Sequence, residues 1–209
     1  MFSNVQNAYN QWAESYDATD NKTRDLDKLA TQQTLAGLSL KNVLELGCGT
    51  GKNTEWLLQK AKDITAVDFS EAMLSKAKDK IAAPNVQFVQ ADITQPWPFP
   101  PASFHLATCN LILEHIENLD FIFAQAHKVL KTKGMFFISE LHPARQYLGS
   151  KARFEKENKL VVLDCFVHHA SAFYNGGINN GFACVRLNEW FDGDNNHIPR
   201  LISFLFKKR

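Results

Sequence analysis

The chain has 209 residues, 45% hydrophobic and 22% charged, enough apolar material for one self-sufficient core, so disordered and fibrous classes are set aside. Its 23 basic and 22 acidic residues leave a formal charge of +1; no global field favours a polyanion, and no nucleic-acid partner is expected. Cys48, Cys109, Cys165 and Cys184 form no C-x-x-C pair and read as reduced thiols in a cytoplasmic protein. The N-terminus lacks the pattern of a secretory signal, and no apolar run approaches the roughly 20 residues of a membrane span, so no membrane partner is expected.

Residues 1–41 read as a helical cover, with Trp12, Tyr16, Leu26, Leu29 and Leu35 available to pack on the rest. From Val43 to Leu141, short apolar runs alternate with amphipathic stretches, the rhythm of a parallel sheet covered by helices. The runs are Val43–Leu46, Ile64–Asp68, Val86–Gln90 and Met135–Leu141, with a weaker one at Phe104–Asn110. A helix with Trp56, Leu57 and Leu58 follows the first. Ser70 is placed to cap the next, with Glu71 in its first turn and Met73, Ala77 and Ile81 on one face. Asp120 is expected to cap a helix with the stripe Ile122, Ala126 and Val129 or Leu130, ended by Gly134 after Lys131 and Lys133. Residues 142–170 break the rhythm with His142-Pro143, a basic segment and the apolar run Leu160–Val167; they are expected to form an insertion above the strand ends, a substrate lid. The tail gives a helix near Ser171–Asn180, a strand Phe182–Trp190, a polar turn over 192–196 and a last strand Leu201–Phe206, the two strands forming an antiparallel hairpin.

Chemistry concentrates at Glu45-Leu46-Gly47-Cys48-Gly49-Thr50-Gly51, where a strand runs into a glycine-rich turn and then a helix. Glycines let backbone adopt positive φ and approach a ligand closely. A dinucleotide fingerprint places its third glycine three residues after its second, yet Gly51 follows Gly49 by two, and acidic Glu45 stands beside the turn, where it repels phosphate and suits a cation. Asp68, ending the second strand, is suited to two ribose hydroxyls, and Asp92, after the third, to an adenine amino group. A cationic adenosine without phosphate satisfies all three.

These residues, with Phe69-Ser70 and Ala91-Asp92, resemble the class I S-adenosylmethionine-dependent methyltransferases, near the type 11 group. Ala8-Tyr9-Asn10-Gln11-Trp12-Ala13-Glu14-Ser15-Tyr16-Asp17 is similar to that group's N-terminal signature, and Trp97-Pro98-Phe99-Pro100 with Ser103-Phe104 to the segment before its fourth strand. The chain departs from the group at Lys128–Gly134, which lacks the usual arginine and proline-glycine turn, and at His105, where aspartate is common. The resemblance implies a single α/β domain over 1–209, a Rossmann-like sheet of seven mostly parallel strands with an antiparallel last strand and helices on both faces. It implies S-adenosylmethionine as cofactor and methyl transfer to a small molecule. Gly47, Cys48, Gly49 and Gly51 would pass beneath the methionine portion, Glu45 would face its ammonium, and Asp68 would hold the ribose. Phe69 and Ile93 would sandwich the adenine near Ala91 and Asp92, with Ser70 and Met73 beside them. Asn110 and Leu111 would lie near the methionine portion, while Tyr16 and Arg24 would close the site over the cofactor carboxylate.

The sulfonium already activates the methyl group, so a base is needed only if the acceptor loses a proton; His115, His142 and Tyr16 are the candidates. His168-His169 with Asp164 and Cys165 carries metal-ligating side chains, but adjacent strand histidines point to opposite faces, and no metal is expected. Lys151, Arg153, Lys156 and Lys159, interleaved with Glu155 and Glu157, read as a solvated face that could also favour an anionic substrate. Two other functions fit the same fold. A nucleic-acid methyltransferase usually carries an Asn/Asp-Pro-Pro-aromatic segment where this chain has Asn110-Leu111-Ile112-Leu113, and a silent scaffold acting through a protein partner would not need an intact turn and Asp68.

Overall fold

The computed structural model describes residues 2–156, 159–163, 165–193 and 197–209. Asp164 and residues 194–196 of the polar turn lie outside the described residues, as do the side chains of 153–160, which include Arg153, Lys156 and Lys159.

Two helices, α1 (Phe2–Trp12) and α2 (Lys22–Leu35), precede β1 (Asn42–Leu46), α3 (Lys52–Leu57), β2 (Asp63–Asp68), α4 (Glu71–Lys80), β3 (Val86–Gln90) and β4 (Phe104–Asn110). A single 3₁₀ turn (Leu113–His115) leads to α5 (Leu119–Val129), β5 (Leu130–Leu141) and the short α6 (Pro143–Tyr147). A small hairpin, β6 (Arg153–Lys156) and β7 (Lys159–Val162), is followed by α7 (Ala170–Asn179), β8 (Phe182–Trp190) and β9 (Leu201–Lys208). The main sheet has seven strands in the order β3-β2-β1-β4-β5-β9-β8. Strands β1 to β5 pair in parallel, and β9 runs antiparallel to both β5 and β8, as the sequence predicts. The chain winds outward from β1 in both directions, so β1 and β4 part at their C-terminal ends and leave a crevice there.

Alternation along the strands divides the core. Leu44, Leu46, Ala107, Cys109, Phe136, Ile138, Phe204 and Phe206 pack with α5 and α7 on one face. Val43, Leu106, Phe137 and Leu205 turn the other way, onto Leu35, Leu57 and Leu74 of α2, α3 and α4. The first face is dense with phenylalanine: Phe123 meets Phe136, Phe182 and Phe206 edge-on at centroid separations of 5.6, 6.3 and 5.4 Å. Helix α7 approaches this cluster through Gly176 and Gly177, where a Cβ would crowd the rings of Phe123 and Phe206. A third cluster joins Ala8, Trp12 and Ala13 of the N-terminal cover to Met73 of α4 and to Leu163, so the cover and the 142–170 segment meet.

Three local expectations are corrected. Asn118, not Asp120, caps α5: its Oδ1 accepts from Phe121 N at 3.1 Å, while Asp120 sits in the first turn and accepts from Asn180. The helix stops at Val129 rather than running toward Gly134, because Leu130 pairs with Phe104 and opens β5, and Lys208 of β9 donates to the His127 and Leu130 carbonyls at the helix C-terminus. Leu29 is exposed on α2, whereas Leu35 and Trp12 are buried as expected.

Candidate active site

A cleft with about 990 Å³ of empty space lies over the C-terminal ends of β1, β2 and β4. Backbone geometry builds its floor. Gly47, Gly49 and Gly51 all have positive φ (68, 54 and 86°), so the turn folds back on itself after β1. A Cβ at Gly47 would run into Ile112 (Cδ1 at 2.9 Å), but at Gly49 it would meet nothing within 4 Å. Gly49 is therefore where backbone lies open to a ligand. Asp68, at the tip of β2, holds this floor: its Oδ2 accepts from Gly49 N at 2.8 Å and its Oδ1 from Ser70 N at 2.9 Å.

The acids around the floor are costly to ionise. Burial pushes the Asp68 carboxyl up to about 6 and that of Glu45 up to about 8, although Thr54 donates to Glu45 at 2.6 Å. Asp27 of α2 is also raised by burial; it accepts from Asn110 at 2.8 Å and from Asn53 at 3.0 Å. Three acids raised by burial and facing one cleft make it a site where a cation would favour their ionised forms.

The walls are apolar and aromatic. Phe69, Met73, Ile93, Ile112 and Ile116 line the cleft, and Ile93 is anchored by the buried Trp97, whose ring donates to its carbonyl at 2.8 Å. Asp92 sits at the rim and accepts from Thr94 N and Oγ1. After β4, Leu111 has a φ of 55°, unusual for a residue with a side chain, and Glu140 of β5 holds the following backbone by accepting from Ile112 N and Leu113 N at 3.0 and 2.9 Å.

The N-terminal cover closes the top. Arg24 donates to the Tyr16 and Thr19 carbonyls, both at 2.6 Å, and its guanidinium lies 4.0 Å from the Tyr16 ring centroid. Thr50, in the glycine turn, donates to Asp17 at 2.6 Å, and Lys80 pairs with the other oxygen of Asp17, tying the cover to the floor. Tyr9 is buried, and its hydroxyl lies 3.0 Å from His115 Nε2. Tyr9, Tyr16, Arg24 and Leu111 also border a second, broader hollow of about 1460 Å³, lined as well by Leu141, Arg145, residues 148–152 and Arg200.

Most residues singled out from the sequence meet here: Tyr16, Arg24, Glu45, Gly47, Cys48, Gly49, Asp68, Phe69, Met73, Ala91, Asp92, Ile93, Asn110, Leu111 and His115 all line the cleft. Three do not. Gly51 turns inward, where a Cβ would lie 2.8 Å from Ile81 Cδ1, and serves as the N-cap position of α3. Ser70 caps α4 by accepting from Met73 N and donates to Asn10. His142 caps α6 through Nδ1 and meets Glu189 through Nε2, which directs its ring away from the cleft. His168 and His169 also part, to the Ile116 carbonyl and to Tyr147. Tyr9, Asp27, Thr50 and Asn53 line the cleft without having been singled out for it. Asp27 carries no local signal, since an acid in a helix reads as solvated until the neighbour that buries it is known.

Residues 44–138 match the family model described as a methyltransferase domain. The chain is 30% identical over 109 residues to the ubiquinone biosynthesis O-methyltransferase of Pseudomonas aeruginosa (strain UCBPP-PA14), an alignment covering 51% of this chain and 47% of that protein. It thus spans about half the length of the first curated relatives it matches. Among solved structures, a putative S-adenosylmethionine-dependent methyltransferase from Listeria monocytogenes superposes with a TM-score of 0.74 at 21% identity, over 88% of this chain and 98% of that one. The DhpI complex with S-adenosylhomocysteine gives 0.75 at 20% identity, over 97% and 94%. The segment that carries the glycine turn, Asp68 and the strands around them is thus similar to methyltransferase domains, and the chain shares the fold of solved S-adenosylmethionine-dependent methyltransferases.

Proposed function

We propose that this protein transfers a methyl group from S-adenosylmethionine to a small-molecule acceptor, releasing S-adenosylhomocysteine. The observation that carries this reading is the floor of the cleft: backbone open at Gly49, held from below by a buried carboxylate, with the further buried acids Glu45 and Asp27 alongside. A relative with a related sequence acts in ubiquinone biosynthesis as an O-methyltransferase, which supports a small-molecule acceptor.

The residues fit the cofactor. Asp68 spends one hydrogen bond from each oxygen on backbone, and each oxygen keeps a lone pair for a ribose hydroxyl. Phe69 and Ile93 would flank the adenine, Asp92 would meet its amino edge, and Met73 and Ala91 would complete that pocket. Glu45, bonded to Thr54, and Asp27, bonded to Asn53 and Asn110, would compensate the positive methionine end, while Arg24 would answer the carboxylate. When bound, S-adenosylmethionine supplies a methyl carbon already activated by its sulfonium. The chain's own contribution is then orientation and exclusion of water, which can be worth roughly 7 kcal/mol or more. Tyr16 and Arg24 close the top, residues 142–170 act as the lid, and Leu111 shapes the passage to the acceptor. His115, reached through the Tyr9 hydroxyl, takes the proton from acceptors that must lose one.

Isothermal titration with S-adenosylmethionine, S-adenosylhomocysteine and a nicotinamide dinucleotide tests the reading. The first two are expected to bind with micromolar Kd and the dinucleotide not to bind; the reverse pattern rejects it.

A further inference from the structure

The second hollow carries a charge imbalance that the cofactor does not explain. Apart from Arg24, which is assigned to the cofactor carboxylate, its walls hold four cationic side chains, Lys22, Arg145, Lys151 and Arg200, against two carboxylates, Asp20 and Glu114. Arg145 enters from α6 and Arg200 from the start of β9, elements far apart in sequence, yet both guanidinium groups converge on one acid, Asp192. Arg200 takes it in a two-pronged grip through Nε and Nη2 and reaches Thr23 of α2 with Nη1 at 3.0 Å. Arg145 shares the Asp192 Oδ2 at 3.0 Å and also donates to the Ile198 and Pro199 carbonyls. Hydrogen bonding to Arg200, with the nearby charges of Arg145 and Lys22, holds the Asp192 carboxyl below its usual range, so this acid stays ionised while remaining outnumbered. One negative charge shared by two arginines, with Lys22 and Lys151 on the same walls, leaves net positive charge facing the hollow.

Both arginines are fixed in place before any ligand arrives, with side chains about one-fifth exposed (21% each). Neither borders the cofactor cleft, whereas Tyr9, Tyr16, Arg24 and Leu111 border both spaces. The hollow is also lined by Trp12, Leu141 and Leu148.

Building on the methyl-transfer reading, we propose that the acceptor is a small organic acid: an apolar body lies against Tyr9, Trp12 and Leu111, and an anionic carboxylate or phosphate docks at Arg145 and Arg200. The anion serves as a handle and not as the methylated atom, because Arg145 and Arg200 border the hollow and not the cofactor cleft. The forks themselves are spent on Asp192 and the Pro199 carbonyl, so the anion would take Arg145 Nη1 and the second N–H groups of Arg200 Nη1 and Nη2, charge-assisted donors that the bonds to Asp192 hold in place.

Ligand-detected NMR titration of the full chain saturated with S-adenosylhomocysteine tests the handle, using benzoate, benzamide and phenyl phosphate as probes of similar shape. Benzoate or phenyl phosphate is expected to bind at least tenfold tighter than benzamide, and which of the two is preferred identifies the acid. Arg145→Gln is expected to reduce acid binding to the level of the amide with an unchanged Kd for S-adenosylhomocysteine. Lys151→Gln, on an exposed residue, is expected to weaken the acids several-fold and guards against a folding defect in the first variant. Equal binding of acid and amide, no binding of either acid, or acid binding unaltered in both variants overturns the proposal. Failure of S-adenosylhomocysteine itself to bind overturns the methyl-transfer reading instead, and the acid-to-amide ratio measured without it still decides the handle.

Discussion

Replacing Gly49 with alanine separates the floor of the cleft from the fold beneath it. Gly49 has a φ of 54°, borders the cleft, and has no atom within 4 Å of the place a Cβ would occupy. In the protein alone the added methyl meets no neighbour. Its cost is a left-handed backbone, about 1–2 kcal/mol for an L residue, offset in part by the lower unfolded-state entropy of alanine, about 0.4–1 kcal/mol. The net is about 1 kcal/mol, or a fall in Tm of roughly 2–4 °C for a chain of this length. Cofactor binding responds differently, because the methyl fills the space directly above the turn. At least a tenfold rise in Kd for S-adenosylhomocysteine is expected, about 1.4 kcal/mol. Gly47→Ala is the comparator: it has the same positive φ, but its Cβ would overlap Ile112, adding about 1–3 kcal/mol of overpacking and a visibly larger loss of Tm. Calorimetric unfolding and titration of both variants separate the two costs. Parental affinity in Gly49→Ala, or a destabilisation equal to that of Gly47→Ala, would refute the assignment of Gly49 as the floor.

Three further outcomes follow from other parts of the molecule. Glu45, raised by burial to about 8, keeps in the folded state a proton that the unfolded chain has already released, so its contribution to stability is lost as pH climbs toward 8; Glu45→Gln, which can still accept from Thr54, should gain on the parent by about 2 kcal/mol between pH 6 and pH 8 in thermal unfolding. Tyr9→Phe removes the hydroxyl that touches His115, and for an acceptor that loses a proton kcat should fall about tenfold or more with KM for the cofactor unchanged; an unchanged kcat and pH profile would leave the pair with a packing role only. Gly177→Ala drives a methyl into the Phe206 ring (Cδ1 at 2.7 Å) and should cost about 1–3 kcal/mol of stability without changing the Kd for S-adenosylhomocysteine, since α7 takes no part in the cleft.

Much of this was legible before any coordinates. Strands β1 to β4 announce themselves through local alternation and apolar runs, and the glycine turn, Asp68 and Asp92, singled out by their spacing, do line one cleft, because backbone turns and strand tips are local in sequence. Capping was only half legible: Ser70 reads correctly, whereas Asn118 displaced Asp120 because two acceptors within three residues compete for the same helix end. His142 read as well as His115 did, both being histidines just past a strand, yet one ring is spent on a helix cap and Glu189 while the other meets Tyr9 over the cleft.

The sequence by itself determined the sheet, the turn and the acids at its strand tips. Only the tertiary structure decided which side chains share a space. Asp27 enters the cleft because α2 folds back over α3 and β4, and Arg145 and Arg200, 55 positions apart, meet because the antiparallel β9 returns the chain beside β5 to the segment before α6. The physical reason is that buried charge and charge convergence are properties of neighbours across the fold, which no local pattern of residues encodes.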